Sequence, residues 1–219
     1  MQDVKLVVFD WDGTVMDSVA KIVRSLQIAA IENGRSEPSW DEAKQVIGLS
    51  LDPAMAMLFP DADANERQLL GDGYKKAYSE IDTTPTPLYP HAQHVFASLR
   101  HRGYQLGVAT GKARRGLDRM WRETGTGEFF TTSRCSDEAQ SKPHPDMLMQ
   151  ILQEQQLAPH EVVMIGDSRF DMQMAHAAKV HRIGITHGVH GAADFAPFQP
   201  HAVVDDLLAL LELLPERSV

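Results

Sequence analysis

Leu6-Val7-Val8-Phe9-Asp10-Trp11-Asp12-Gly13-Thr14 joins a short apolar run to two acids, a glycine and a hydroxyl. The run is continuous, not alternating, which is the pattern of a strand buried on both faces, as in a parallel sheet between layers of helix. The same pattern returns at Leu106–Ala109, Val162–Ile165, Ile183–Ile185 and Ala202–Val204. Between these runs the apolar spacing is helical, over His91–Arg102, Arg114–Glu123, His144–Gln156 and Asp171–Ala178. A last helix is expected where Leu207, Leu210, Leu211 and Leu214 share one stripe behind Asp205 and Asp206, acids that suit the positive end of a helix. Strands alternating with helices predict a doubly wound α/β domain with a parallel sheet.

Residues 18–82 break that rhythm. Val19, Ile22, Val23, Leu26 and Ala30 form one helical face, and Asn33-Gly34 supplies a stop. Ser39 is a candidate cap for a second helix, Asp52-Pro53 for a third, and a further helix is expected over Asn65–Ile81. The proline-rich stretch Thr83-Thr84-Pro85-Thr86-Pro87-Leu88-Tyr89-Pro90 then reads as a stiff linker. The expected organisation is therefore a core of residues 1–17 and 83–219, with an all-helical block, 18–82, inserted after the first strand.

Composition narrows the class. The chain has 219 residues, a hydrophobic share of 43% and a formal net charge of −9, enough for a sizeable core and the wrong sign for a broad nucleic-acid-binding face. Its lone thiol, Cys135, cannot close an internal disulfide and suits a reducing compartment. The opening residues carry an acid early and too short an apolar run for a signal peptide, and no stretch approaches the roughly 18 apolar residues of a membrane span. The expectation is a cytoplasmic protein, monomer or homodimer, acting on a small molecule.

Four segments fall where a parallel sheet places its ligands, beyond the carboxyl ends of the strands. Asp10-Trp11-Asp12-Gly13-Thr14 puts two carboxylates at one strand exit. Thr110-Gly111-Lys112 puts a hydroxyl at another, Ser141-Lys142-Pro143-His144-Pro145 holds a lysine in a turn, and Gly166-Asp167-Ser168-Arg169-Phe170-Asp171 adds two more acids. Taken singly, each is an ordinary turn, cap or solvated charge; all four in this order are hard to read as decoration.

In that order they resemble the haloacid dehalogenase-like hydrolase superfamily, and within it the phosphoglycolate phosphatase-like group, whose Rossmann-like core carries a helical cap where residues 18–82 fall. The resemblance implies a Mg²⁺-dependent phosphatase acting on a small organic phosphomonoester, phosphoglycolate-like, through an aspartyl-phosphate. It casts Asp10 as nucleophile and Asp12 as acid and base. Asp10, the backbone carbonyl of Asp12, and Asp167 become the metal ligands, with Asp171 supporting the metal or the lysine. Thr110, Lys142 and the backbone at Gly111 become holders of the phosphoryl oxygens. Gly48-Leu49-Ser50, between two insert helices, falls where the group has a loop over the substrate; a plain interhelical turn reads equally well.

Two positions depart from the commonest pattern: Gly111 replaces an asparagine and Lys179 a glycine. An inorganic pyrophosphatase with the same cap stays open. A sugar phosphomutase is disfavoured by Ile22, where a histidine is usual, and a dehalogenase by Asp12. A phospho-accepting regulatory module is disfavoured by the length and by the early position of Asp10. His91, His94, His187 and His190 are expected to be surface loop residues, since no third or fourth ligand accompanies them. Trp40 and Trp121 are expected to be packing residues.

Overall fold

The computed structural model describes residues 1–217. Its sheet has six strands: β1 (Leu6–Phe9), β2 (Gln105–Ala109), β3 (Thr132–Arg134), β4 (Val162–Gly166), β5 (His181–Ile185) and β6 (Ala202–Val204). They lie in the order β3-β2-β1-β4-β5-β6, and every pairing is parallel. Alternate residues of β1 enter different apolar clusters, Val7 and Phe9 on one face, Leu6 and Val8 on the other. The first face is covered by α5 (Ala92–His101), α6 (Arg114–Thr124) and α10 (Leu210–Leu213), through Phe96, Leu99, Leu117 and Leu210. The second is covered by α7 (Asp146–Gln155) and α8 (Arg169–Ala177), through Leu148, Ile151, Met174 and Ala175. A short α9 spans Ala192–Phe195. This is the doubly wound α/β core, and it explains why the strand runs are apolar at every position.

The chain runs from β1 to β2 and β3 on one side and then to β4 on the other, so a crevice opens beyond the carboxyl ends of β1 and β4. Trp11 fixes the turn that leaves β1. Its side chain is fully buried and meets Phe130 edge-on at 6.0 Å, while Phe130 stacks on Trp121 at 5.6 Å. Burying an aromatic of this size stabilises the fold by about 1.5–3 kcal/mol, which ties the acids on either side of Trp11 to a rigid base.

Residues 19–81 are helical: α1 (Val19–Glu32), α2 (Trp40–Lys44), α3 (Leu51–Leu58), α4 (Ala64–Lys76), and a wider turn over Ala77–Ile81. Ile22, Val23, Leu26, Met55, Phe59 and Leu70 give them an apolar cluster of their own. Ser39 and Glu42 form a reciprocal capping box at α2. At α3 the N-cap is Ser50, not Asp52, so Pro53 lies in the first turn. α1 ends at Asn33-Gly34, with Gly34 at φ +73°, where only glycine sits without strain. The outgoing and returning strands of chain touch: Asp17 N–H donates to Pro87 O at 2.8 Å and Tyr89 N–H to Val15 O at 2.9 Å.

Two expectations are corrected, and one strand is added. The helix expected behind Asp205 and Asp206 is a single turn, Leu210–Leu213, with Leu207 and Leu214 packing from irregular chain on either side. β3 has no apolar run to reveal it. Trp40 is 46% exposed, so it is not a core residue. Among the described residues no helix is long and apolar enough to cross a membrane.

Candidate active site

Asp10 extends β1 by one residue, its N–H donating to Ile165 O at 2.9 Å, and its side chain is buried in the crevice. Lys142 Nζ lies 2.7 Å from Asp10 Oδ1 as an ion pair and donates to Asp171 Oδ1 at 2.6 Å. Asp10 Oδ2 is buried with no protein partner. Asp167, at the exit of β4, accepts from Thr14 Oγ1 at 2.6 Å and from Val189 N–H at 2.8 Å. Asp171 Oδ2 accepts from Ser168 N–H at 3.0 Å and Ser168 Oγ at 2.6 Å.

Oxygens of Asp10, Asp167 and Asp171 all lie within 4.8 Å of one another. Three buried carboxylates therefore face one buried lysine. Burial, then the charge of Asp171, pushes the Asp10 carboxyl well above its ordinary value, with Lys142 pulling the other way; burial and Asp171 raise Asp167 too. Lys142 itself is held above its usual value: burial opposes its charge, but Asp10 and Asp171 outweigh it. Excess buried negative charge and an unpartnered carboxylate oxygen are what a hard, oxygen-seeking dication would satisfy. The residues present fit such an ion.

Close backbone packing holds the acids in place. A Cβ at Gly13, whose φ is +82°, would lie 2.2 Å from Asp167 Oδ2, and one at Gly188 would lie 2.1 Å from the same atom. Neither position admits another residue.

The Asp12 carboxylate is engaged elsewhere. Ser18 Oγ donates to its Oδ1 at 2.7 Å, and Lys112 Nζ is 3.0 Å from its Oδ2. Asp10, Asp12, Thr110 and Gly111 line a cavity of about 730 Å³, closed on the other side by Gly48, Leu49 and Tyr78. Ile22 also lines it, an apolar wall with no proton to offer. Asp167, Asp171 and Lys142 lie beneath, fully buried or nearly so.

The 48–50 loop meets three of the four core segments. A Cβ at Gly111 would lie 2.6 Å from Leu49 O and 2.8 Å from Gly48 O. Gly48, at φ +100°, faces Ser168 closely enough that a Cβ there would sit 2.9 Å from its Oγ, and Ser50 N–H donates to Ser141 Oγ at 2.9 Å. Gly111, a departure from the commonest pattern, thus stands where the loop backbone leaves no room for a side chain.

Several site residues escaped sequence reasoning. Thr14, Ser18 and Lys112 were visible only as neighbours of the acids, and the Asp167–Val189 bond joins residues 22 apart. The histidine loop also differs from expectation. His190 is 5% exposed, packed under the insert with Nε2 3.2 Å from Gln45 Oε1, and His187 stacks on Tyr89 at 3.7 Å. The loop serves the site through its backbone: Val189 N–H reaches the Asp167 carboxylate and His190 N–H its carbonyl.

The model of a family described as haloacid dehalogenase-like hydrolase matches residues 7–185. The chain is 27% identical over 221 residues to a phosphoglycolate phosphatase of Aliivibrio fischeri, covering 97% of each protein. To a phosphoglycolate phosphatase of Pseudomonas putida it is 30% identical over 215 residues, 94% of this chain and 78% of that one. A haloacid dehalogenase-like family hydrolase from Streptococcus pneumoniae superposes with a TM-score of 0.86 at 24% identity, covering 98% and 100% of the two chains; this likeness speaks to the fold.

Proposed function

The chain belongs to the haloacid dehalogenase-like hydrolase family, and we propose that it is a Mg²⁺-dependent phosphatase that hydrolyses a small organic phosphomonoester, phosphoglycolate or a close analogue. The observation that carries this reading is Asp10 Oδ2: a buried, unpartnered carboxylate oxygen beside Lys142, in a residue lining the same cavity as Thr110. A carboxylate so placed is a nucleophile beside groups that hold a phosphoryl dianion.

Hydrolysis of phosphate monoesters is among the slowest uncatalysed reactions, so stabilisation of the phosphoryl group carries most of the burden. Asp10 attacks phosphorus while Lys142, Thr110 Oγ1 and the backbone N–H groups at Trp11, Asp12 and Gly111 hold the phosphoryl oxygens. Asp12 gives its proton to the departing ester oxygen. Water then attacks the aspartyl-phosphate, Asp12 takes the water's proton, and Asp10 is regenerated. Held by Asp10, Asp167 and the carbonyl of Asp12, Mg²⁺ would supply positive charge that offsets repulsion between Asp10 and the anionic substrate. Asp171 keeps Lys142 in place from behind. Residues 18–82 act as a cap over a core of 1–17 and 83–219, with Gly48, Leu49 and Ser50 covering the leaving group and excluding water.

The phosphoglycolate assignment is supported by the two curated relatives, and Ile22 in the cavity wall favours hydrolysis over a mutase. The test is a panel of phosphomonoesters and pyrophosphate, with Mg²⁺ and with EDTA. Expected is turnover of phosphoglycolate that EDTA abolishes and Mg²⁺ restores; undiminished activity in EDTA, or turnover of pyrophosphate alone, would overturn the reading.

A further inference from the structure

Tyr78 lines the cavity, yet the chemistry described above gives it no part. It lies in the wide turn Ala77–Ile81 that follows α4; π turns of this kind are rare and often mark functional sites. Its ring packs in the apolar cluster of the insert and meets Tyr74 at 5.9 Å, leaving the residue 7% exposed. The Tyr78 hydroxyl is nonetheless buried without a hydrogen-bond partner, which is costly for a polar group. Burial holds this phenol above its ordinary value, so at neutral pH it is a donor that lacks an acceptor.

Cations gather at the same ring. Lys21 Nζ lies 4.9 Å from its centre, Lys112 Nζ 5.0 Å and Arg119 Cζ 5.8 Å. Lys112 is already paired with Asp12 at 3.0 Å. Arg119, on α6, pairs loosely with the exposed Glu123 at 3.8 Å, and its Nε is buried without a hydrogen-bond partner. Arg119 also lines the cavity, as do Arg115 and Arg122 of the same helix. In a chain of net charge −9, this wall is a local positive field suited to an anion. The Lys112 ammonium touches Asp12 on one side and the Tyr78 ring on the other. Tyr78 therefore stands one ammonium away from the carboxylate that faces the departing ester oxygen, within reach of a group joined to that oxygen by one or two carbons.

We propose that Tyr78 and Arg119 are specificity-determining residues that bind a carboxylate on the leaving group, so that the enzyme selects short phosphorylated hydroxy acids over neutral alkyl phosphates. The Tyr78 O–H donates to one carboxylate oxygen, and the Arg119 guanidinium neutralises the charge. One phenol and one guanidinium suit a monoanion better than a second phosphoryl dianion. The proposal rests on the phosphatase reading and deepens it: an insert residue and a core residue together read the end of the substrate that does not react. A site built to hydrogen-bond a substrate group discriminates strongly against an analogue that lacks the group.

The experiment measures kcat/KM in Mg²⁺ for phosphoglycolate, ethyl phosphate, ethylene glycol bisphosphate and p-nitrophenyl phosphate, with the wild type, Tyr78→Phe and Arg119→Gln. Wild-type turnover of p-nitrophenyl phosphate is the reference, and its absence would sink the phosphatase reading itself. Given that turnover, the wild type should prefer phosphoglycolate to ethyl phosphate by about 10- to 100-fold, the worth of a hydrogen bond to a charged group. Tyr78→Phe keeps the ring and its packing. It should lower kcat/KM on phosphoglycolate by about that factor and on ethyl phosphate by less than about threefold, with an unreduced melting temperature, because the free protein loses no hydrogen bond. Arg119→Gln should show the same selective loss. Equal losses on all substrates, or wild-type selectivity in Tyr78→Phe, would make the pair a packing contact between insert and core and overturn the proposal. A wild-type preference for ethylene glycol bisphosphate over phosphoglycolate, lost in the same variants, would make this a phosphate subsite and overturn the carboxylate assignment.

Discussion

Replacing Gly111 by alanine puts a single methyl group between the core and the loop that covers the site. The new Cβ would meet Leu49 O at 2.6 Å and Gly48 O at 2.8 Å. Ordinary contact needs about 3.5 Å, so the loop must retreat by roughly 1 Å. Both obstacles are backbone, and no side-chain rotation relieves them. The retreat strains or breaks the Ser50 N–H to Ser141 Oγ bond, worth about 1 kcal/mol, and loosens Gly48 against Ser168. A closed state weakened by about 1–2 kcal/mol is depopulated roughly 5- to 30-fold, and kcat/KM on phosphoglycolate should fall by that factor. Gly111 carries no positive φ, so alanine fits its backbone, and the melting temperature should move by no more than a few degrees. The assay is steady-state kinetics beside a thermal melt. Wild-type kcat/KM with a wild-type melt would refute the idea that this loop contact belongs to the working site.

Other expectations follow from single residues. α8 ends in a paired motif in which Lys179 N–H donates to His176 O and Val180 N–H to Ala175 O, with Lys179 at φ +59°; Lys179→Gly should therefore stabilise by about 0.5–1 kcal/mol and raise the melting temperature by about 2–4 °C. In EDTA, Asp10→Asn should melt above the wild type, because it removes one of three buried carboxylates facing one lysine, and it should blunt the stabilisation by added Mg²⁺ that thermal shift reads in the wild type. His181 Nδ1 and His201 Nε2 are 2.9 Å apart, and both imidazoles are held below their ordinary value, by burial first and then by His201 and the N-terminus for one, Arg182 and the N-terminus for the other. The unfolded chain then takes up protons before the fold does, so their contribution is complete above about pH 6.5 and lost as pH falls through it; His201→Gln should flatten that part of the stability profile. Burial pushes the Cys135 thiol up to about 12, so iodoacetamide at mildly alkaline pH should label it only after unfolding.

What the sequence made legible was whatever has a local signature. Continuous apolar runs revealed five of the six strands: the runs of β1, β2, β4 and β5 are buried on both faces, while that of β6 lies at the sheet edge with Val203 exposed. β3 was hidden because Thr132-Ser133-Arg134 lies at the sheet edge, with a sequence that reads as loop. The leucine stripe after Asp206 looked helical because its leucines share one cluster with α5, yet irregular chain delivers two of the four, Leu207 and Leu214. In the site, the four strand-exit segments could be read because their residues leave the sheet in sequence order. Lys112 and the Val189 amide could not, because their partners lie across the crevice and only the fold sets those distances. His187 and His190 misled for the same reason: isolated in sequence, the first stacks on Tyr89 and the second packs against Gln45 of the insert in space, while His91 and His94 are exposed. Gly111 looked like a lost donor, and the loop backbone above it explains the glycine.

The most direct test of the central claim is to trap the covalent state on Asp10. The protein is mixed with phosphoglycolate and Mg²⁺, quenched in acid within the first turnover, digested, and mapped by mass spectrometry. The account predicts one phosphoryl group on the peptide carrying Asp10, absent in EDTA and absent in Asp10→Asn. Active enzyme that never carries phosphate there, or that carries it on another residue, would contradict it.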